Sequence, residues 1–432
     1  MKKTTFLLFA LTILATKAFG DTEFLMPADL AYGYGNTTSE SMQLQLRLMP
    51  ELNIGLSEST RLVSSFRVRI DPTDRLEPGE APRDAYAPLS RPLALGDTGL
   101  AEIRDLYIET DIGKSLLRLG KQQIVWGRLD GIKVLDVLNP QDFREFILED
   151  FGESRIGLWS AYLDAPIGAW RAELAVIPDG TGHVIPNQGA WFELRAPRFR
   201  FGAGPEQPGL PLTTESRAHD FDSTGAGLRL SRSIGRVDLS LVGYSGIDPE
   251  PLGRIGSDET GAVVERFFER RQLAGFSAET GVGNAVVRVE YAFQPDRAFN
   301  LRTPSSLTAV ELDQHRAAIG LDFSLPGSVF VNAQFLLDTV RDAPTTLVRP
   351  DTDRLSTLYL RKSFGYDKVS LEARWYHSYT DKDDMFSAAI SVLVGENSRV
   401  RLQADGFSGT TSGLFGQFEA SDRVVLAIEH VF

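Results

Sequence analysis

Residues 328–338 read SVFVNAQFLLD. In an extended chain Val329, Val331, Ala333, Phe335 and Leu337 face one way, and Asn332, Gln334 and Asp338 face the other. A period of two with one apolar and one polar side is the mark of a half-buried strand. The pattern recurs along the chain. MQLQLRLM sets Met42, Leu44, Leu46 and Leu48 against Gln43, Gln45 and Arg47. AVVRVEYAF sets Val287, Val289, Tyr291 and Phe293 against Arg288 and Glu290. KVSLEARWYHSY sets Val369, Leu371, Ala373, Trp375 and His377 against Ser370, Glu372, Arg374 and Ser378.

Any one of these segments would suit a soluble sheet, so number and spacing must decide. The connections alternate in length. Tight turns are expected near 57–60, 111–115, 165–169, 233–236, 280–284, 325–328, 365–368 and 395–398. Between them lie longer stretches, about 71–100, 127–155, 179–223, 247–263, 295–310 and 341–354. A transmembrane barrel sorts its connections by length in this way, with short turns at one end and long loops at the other. A soluble sandwich has no reason to do so. The reading is an all-β, closed antiparallel transmembrane barrel of about eighteen strands, an even number. It takes 28–35 as the first strand, 41–56 as one unbroken strand, 264–279 as another, and 409–422 as a loop.

No apolar run of eighteen residues follows the N-terminus, which argues against helical spans. The N-terminus itself has Lys2 and Lys3, then an apolar stretch from Phe6 to Ala15 too short to span a bilayer. Ala18 and Gly20 then provide a small-residue site, so residues 1–20 are expected to be a cleaved signal peptide, with Ala18 as the alternative cut. The remaining 21–432 form one domain. Losing Lys2, Lys3 and Lys17 takes the formal charge from −13 to −16, which disfavours a nucleic-acid partner. The chain has no cysteine, so disulfides and thiolate chemistry are excluded.

The chain ends RVVLAIEHVF, with Val424, Leu426, Ile428, His430 and Phe432 on one face. This resembles the C-terminal signal of Gram-negative outer-membrane proteins. The resemblance implies an outer-membrane location, a lipid environment and recognition of Phe432 by the barrel-insertion machinery. Residues 120–159, GKQQIVWGRLDGIKVLDVLNPQDFREFILEDFGESRIGLW, resemble a poorly characterised family of outer-membrane barrels. The matching positions are Gly120, Lys121, Gln122, Trp126, Gly127, Asn139, Pro140 and Asp142. A vaguer likeness is to porin-type exporters of acidic polysaccharide, but no matching basic motif supports that substrate here.

Within this stretch, Asn139 as cap, Pro140 in the first turn and Asp142 third predict a helix over 139–151. Phe143, Phe146, Ile147 and Phe151 would share its apolar face, leaving Arg144, Glu145, Glu149 and Asp150 elsewhere. That face needs a surface, either the inner wall or other outer loops. Inward folding is the expectation, with Asn139, Pro140, Asp142, Arg144, Glu145 and Glu149 at a constriction. Arg229, Arg288, Glu290, Glu372, Arg374, Arg401 and Asp405 are the expected pore-lining charges, of mixed sign.

No catalytic residue is assigned. The five histidines (His183, His219, His315, His377 and His430) show no metal-ligand spacing, and no G-x-S-x-G occurs. Asp71, Asp74 and Glu77 are read as a solvated acidic loop, lacking the ligand spacing of a calcium site. No metal and no cofactor is expected. The function expected is passive passage of a small polar or charged solute. The rival is a non-transporting barrel, an adhesin or an envelope-assembly or export partner, and an outer-membrane hydrolase is disfavoured for want of a site.

Overall fold

The computed structural model describes residues 22–79, 84–201, 203–204, 207–214, 223–259 and 261–432. The expected signal peptide, 1–20, and His219 lie outside the described residues. Eighteen antiparallel strands form one sheet that closes on itself. They are β1 (Thr22–Leu25 and Pro27–Gly35), β2 (Glu40–Leu48 and Glu51–Ser57), β3 (Thr60–Ile70), β4 (Gly99–Ile112), β5 (Ser115–Gln122) and β6 (Leu158–Ile167). There follow β7 (Trp170–Ile177), β8 (Gly225–Ile234), β9 (Val237–Ile247), β10 (Arg270–Val282), β11 (Ala285–Thr303) and β12 (Ser306–Leu325). The last six are β13 (Val329–Val340), β14 (Thr352–Phe364), β15 (Val369–Ser378), β16 (Asp383–Val394), β17 (Ser398–Ser408) and β18 (Arg423–Val431). Closure runs from Pro27 opposite Val431 to Gly35 opposite Arg423. The amide of Phe432 adds a bond to the carbonyl of Met26 at 3.3 Å.

The alternation determines which face looks outward. On β13 Phe335 and Leu337 are exposed, whereas Gln334 and Asp338 are buried. On β11 and β12 Gln294 and Gln314 are fully buried inside, bonded to each other at 3.0 Å. Apolar-out, polar-in strands suit a wall between hydrocarbon and a polar interior. No helix among the described residues is long and apolar enough to cross a membrane.

One end carries the tight turns. Gly113, Gly168, Gly235 and Gly283 each open a two-residue turn with φ between +61° and +64°. A type II′ hairpin needs that left-handed conformation at its first central residue, and glycine adopts it without steric cost. The other end carries the long connections.

Three expectations about the strands are corrected. Residues 41–56 do not form one strand but break at Met49–Pro50, because Pro50 has no N–H for the ladder. Residues 264–269 leave the barrel. Gly261–Phe267 instead pairs with Leu252–Asp258, and Leu212–Thr214 adds in parallel, giving a small accessory sheet. Residues 295–310 are not a loop, since β11 and β12 stay paired to Thr303–Ser306 past an irregularity between Gln294 and Arg297. Residues 409–422 do form a loop, with a short 3-10 turn over Gly416–Ser421.

An arginine at outward-facing Phe335 should cost about 2–4 kcal/mol if it lies near mid-membrane. Glu372→Gln, on the inner face, should leave folding nearly unchanged. Heat-modifiable migration of the refolded variants on gels checks this, and equal loss of folded barrel from both would overturn the register.

Candidate functional site: the segment inside the barrel

Between β5 and β6, residues 123–157 turn into the barrel and meet its inner face on many sides. The backbone amides of Arg128 and Leu135 donate to the carboxylate of Glu290 on β11, at 2.5 and 3.1 Å. Gln334 on β13 donates to the carbonyl of Asp130. Arg271 on β10 donates to the carbonyl of Val137 at 2.6 Å. Further round the wall Arg374 of β15 pairs with Asp150 at 2.7 Å, and Arg423 of β18 pairs with Glu145 at 2.8 Å.

The segment's path has local causes. Trp126 is fully buried, and its indole N–H donates to Glu173 on β7 at 3.0 Å. Its ring lies where a Cβ on Gly227 of β8 would come within 2.6 Å, so only glycine leaves it room. Gly127 gives similar clearance to Asp136, whose Cβ would be 2.8 Å away. Ile124, Ile132, Val134, Leu135 and Leu138 then pack on apolar inner-wall residues such as Val242, Leu273, Ala292 and Leu336. Phe146 and Leu148 join a second apolar cluster with Met42, Tyr376, Met385, Phe415 and Phe418.

The helix expected over 139–151 does not form. Only Phe151–Ser154 make a single α-helical turn. Distant partners outcompete the helix for its amides: Asp142 N–H bonds the carbonyl of Ser154, and Phe143 N–H that of Val184. Phe146 takes a left-handed φ of +53°, which a helix forbids. Asn139 is not a helix cap. Its side chain accepts from the amide of Ile124 at 2.8 Å and donates to the carbonyl of Ile156 at 2.7 Å, clamping the neck of the segment. Pro140 sits beside it, and its carbonyl accepts from the amide of Ile156. Phe143 and Phe146 do not share a face: Phe143 meets His183 edge-on at 5.1 Å, and Phe146 lies 4.6 Å from Phe418.

The charges expected at a constriction are buried in ion pairs. Asp142 lies 3.7 Å from Arg67 and 3.4 Å from Arg69 on β3. Glu149 pairs with Arg69 at 2.6 Å, and Arg144 with Glu77 at 2.9 Å. Arg104 of β4 donates to the carbonyl of Gly152, and Arg67 to that of Glu153. Burial pushes the Glu149 carboxyl up, but Arg69, Arg67, Arg47 and Arg144 outweigh it and hold it down to about 2. Glu77 is less surrounded, and burial carries its carboxyl up to about 7 despite Arg144.

All seven expected wall charges face inward, but they fall into separate groups. Glu290 and Arg374 hold the inner segment. Asp405 pairs with Arg423 at 2.9 Å. Arg229 reaches Glu173 at 3.3 Å, Arg288 reaches Glu279 at 3.0 Å, and Arg401 reaches Glu372 at 3.5 Å. Sequence reading passed over Arg67 and Arg69. The signal was there in FRVRI, where they alternate with Phe66, Val68 and Ile70. Glu173 and Gly227, the partners of Trp126, have no such signal. Asp71 and Asp74 are engaged locally, accepting from the amides of Thr73 and Gly79. His377 and His430 face outward, bonded to Asp384 and Ser398 at 2.8 Å. His315 lies within bonding distance of Tyr291, at 2.7 Å. Among the described residues no group of three metal-ligating side chains converges.

A sequence family described as "Protein of unknown function (DUF1302)" matches residues 96–423. No curated protein matches the chain. Its fold is similar to that of OccAB3 from Acinetobacter baumannii, at 10% identity over 95% of this chain and 99% of that one, with a TM-score of 0.53. It is likewise similar to OccK8 (OprE) from Pseudomonas aeruginosa, at 9% identity over 96% and 98%, TM-score 0.53. At such identity the likeness is one of fold: a porin-like, outer-membrane-type barrel.

The clamps predict two behaviours. Asp142→Ala removes the carboxylate shared by Arg67 and Arg69, which keep Glu102 and Glu149 as closer partners, and should destabilise the segment by about 1–3 kcal/mol. Acid should loosen it too. His183 accepts from the amide of Gln141 at 2.9 Å, and burial lowers its imidazole to about 4. A depressed folded-state pKa means its contribution is complete above the unfolded value near 6.5 and is lost as pH falls toward 4. Protease cleavage within 123–157 should therefore rise over that window, and His183→Gln should flatten the rise. A pH-independent cleavage rate in the parent would contradict the assignment.

Proposed function

The chain belongs to the DUF1302 family, and from that footing we propose that it is an outer-membrane channel for small polar or charged solutes, narrowed by residues 123–157. The observation that carries this reading is the path of that segment. It leaves β5, contacts the inner faces of strands on opposite sides of the barrel, and returns to β6. A barrel of eighteen strands is wide enough to hold water, so a segment crossing it sets the passage.

Chemically, solute would move by diffusion past the segment between the long-loop end and the short-turn end. Toward that end the inner wall carries compensated pairs, Arg288 with Glu279 and Asp322, and Arg401 with Glu372. Mixed signs at close range give little net field and suit a polar solute over a simple ion.

A second reading is favoured by the two apolar clusters, which pack the segment against opposite walls. A segment held so firmly would suit a non-transporting barrel whose outer loops bind a partner, an adhesin or an assembly component. Electrical recording in planar bilayers separates the two. Deleting Val134–Asp150 should raise single-channel conductance several-fold if the segment narrows a passage. Changing Glu145 and Glu149 together to Gln frees Arg423 and Arg69 from these carboxylates and should move the reversal potential toward anions. A folded deletion variant that conducts no better than the parent would favour the non-transporting barrel.

A further inference from the structure

A cavity of about 380 Å³ opens among the long connections, and nothing above assigns it a role. It lies between the loop before β8, the accessory hairpin, and the extended ends of β11 and β12. Phe143 of the inner segment and His183 form part of its lining. Since Phe143 belongs to 123–157, whatever fills this cavity rests against the segment that crosses the barrel.

Its walls are of two kinds. Phe199, Leu252, Val264 and Leu307 supply apolar surface. Leu252, Val264 and Leu307 are themselves buried. Basic groups supply the other surface: seven arginines line the cavity against four carboxylates. Two of the seven, Arg198 and Arg349, are compensated by Asp353, Asp381 and Asp338 outside the lining. Three of the carboxylates are already engaged. Asp248 and Glu250 both pair with Arg297, at 2.7 and 2.6 Å, and Glu193 pairs with Arg200.

Two arginine groups remain under-used. Arg302 meets no carboxylate among the described residues, and its Nη1 donates to the carbonyl of Pro197. Arg200 is 3% exposed, and its Nε is a buried donor with no acceptor among the described residues. A buried guanidinium N–H left unmade costs free energy, and an incoming oxyanion would satisfy it. An apolar chamber with a few convergent polar groups is the usual form of a small-molecule site, and this volume falls at the small end of that range.

We infer that the cavity is the capture site of the channel for an amphipathic organic anion, with an apolar body against Phe199, Val264 and Leu307 and its anionic head toward Arg200 and Arg302. This deepens the channel reading and rests on it for the meaning of capture, while the binding itself stands independently. Burial of the body supplies affinity, and the arginines reject the neutral analogue. Because Phe143 lines the site, an occupant presses on the inner segment at the point where it is tied to Val184.

Calorimetry tests the site, using the full mature chain in lipid nanodiscs and 4-phenylbutyrate as probe. Its uncharged amide and acetate serve as the two controls. Saturable binding of 4-phenylbutyrate at one site is expected, at least tenfold tighter than either control. Arg302→Gln should weaken it at least fivefold, and Val264→Trp should fill the cavity and abolish it. Should the tryptophan variant fail to give a heat-modifiable barrel, Leu307→Phe provides the smaller filling and should weaken binding. Equal affinity for acid and amide, or no effect of Arg302→Gln and of filling, overturns the assignment. Bilayer conductance of the same preparation is read separately. Binding without conductance would defeat the channel reading alone, and conductance without binding would defeat this one alone.

Discussion

Backbone in hydrocarbon has no water to bond, so every N–H and C=O that faces lipid must find a partner in the protein. The pairing of Pro27–Gly35 with Arg423–Val431 meets that constraint by removing the two free edges of the sheet. All else depends on it. A closed wall must alternate apolar and polar residues. Alternation in turn fills the interior with Arg, Glu, Gln and Asn, which cannot remain uncompensated once water is scarce.

The inner segment is one answer to that second requirement. It brings Asp142, Glu145, Glu149 and Asp150 to Arg67, Arg69, Arg374 and Arg423. It also brings carbonyls to Arg67, Arg104 and Arg271. Buried ion pairs of this kind contribute little net stability, because desolvation offsets most of the attraction. Their effect is positional. Removing one partner is costly, so each pair fixes where the segment lies. The bulk of the favourable energy comes from the two apolar clusters on either side, which are not fastidious about geometry.

Much of the fold was legible because period-two patterning repeats. The strand count, the tight turns and the outward register of Phe335, Leu337 and Leu371 all followed from alternation. What failed did so where a long-range bond beats a local preference. Asn139, Pro140 and Asp142 carry a good helix-start pattern, yet Ser154, Val184 and Ile124 claim the groups that a helix would use. No local rule contains those partners. The same holds for Gln294–Arg297, where Pro295 looks like a loop and the ladder resumes beyond it. Of the site, sequence reading found the inward-facing charges but not their pairing, and it missed the cavity, whose walls come from stretches scattered between Phe143 and Arg349.

The first and last strands meet only when the whole chain has been made, and the inner segment touches β3 and β4 on one side and β15 and β18 on another. The segment therefore straddles the seam between β1 and β18, tied to β3 and β4 beyond it and to β18 and β15 before it. It acts as a splint across the join: parting the seam would also have to break ties that lie well inside the wall.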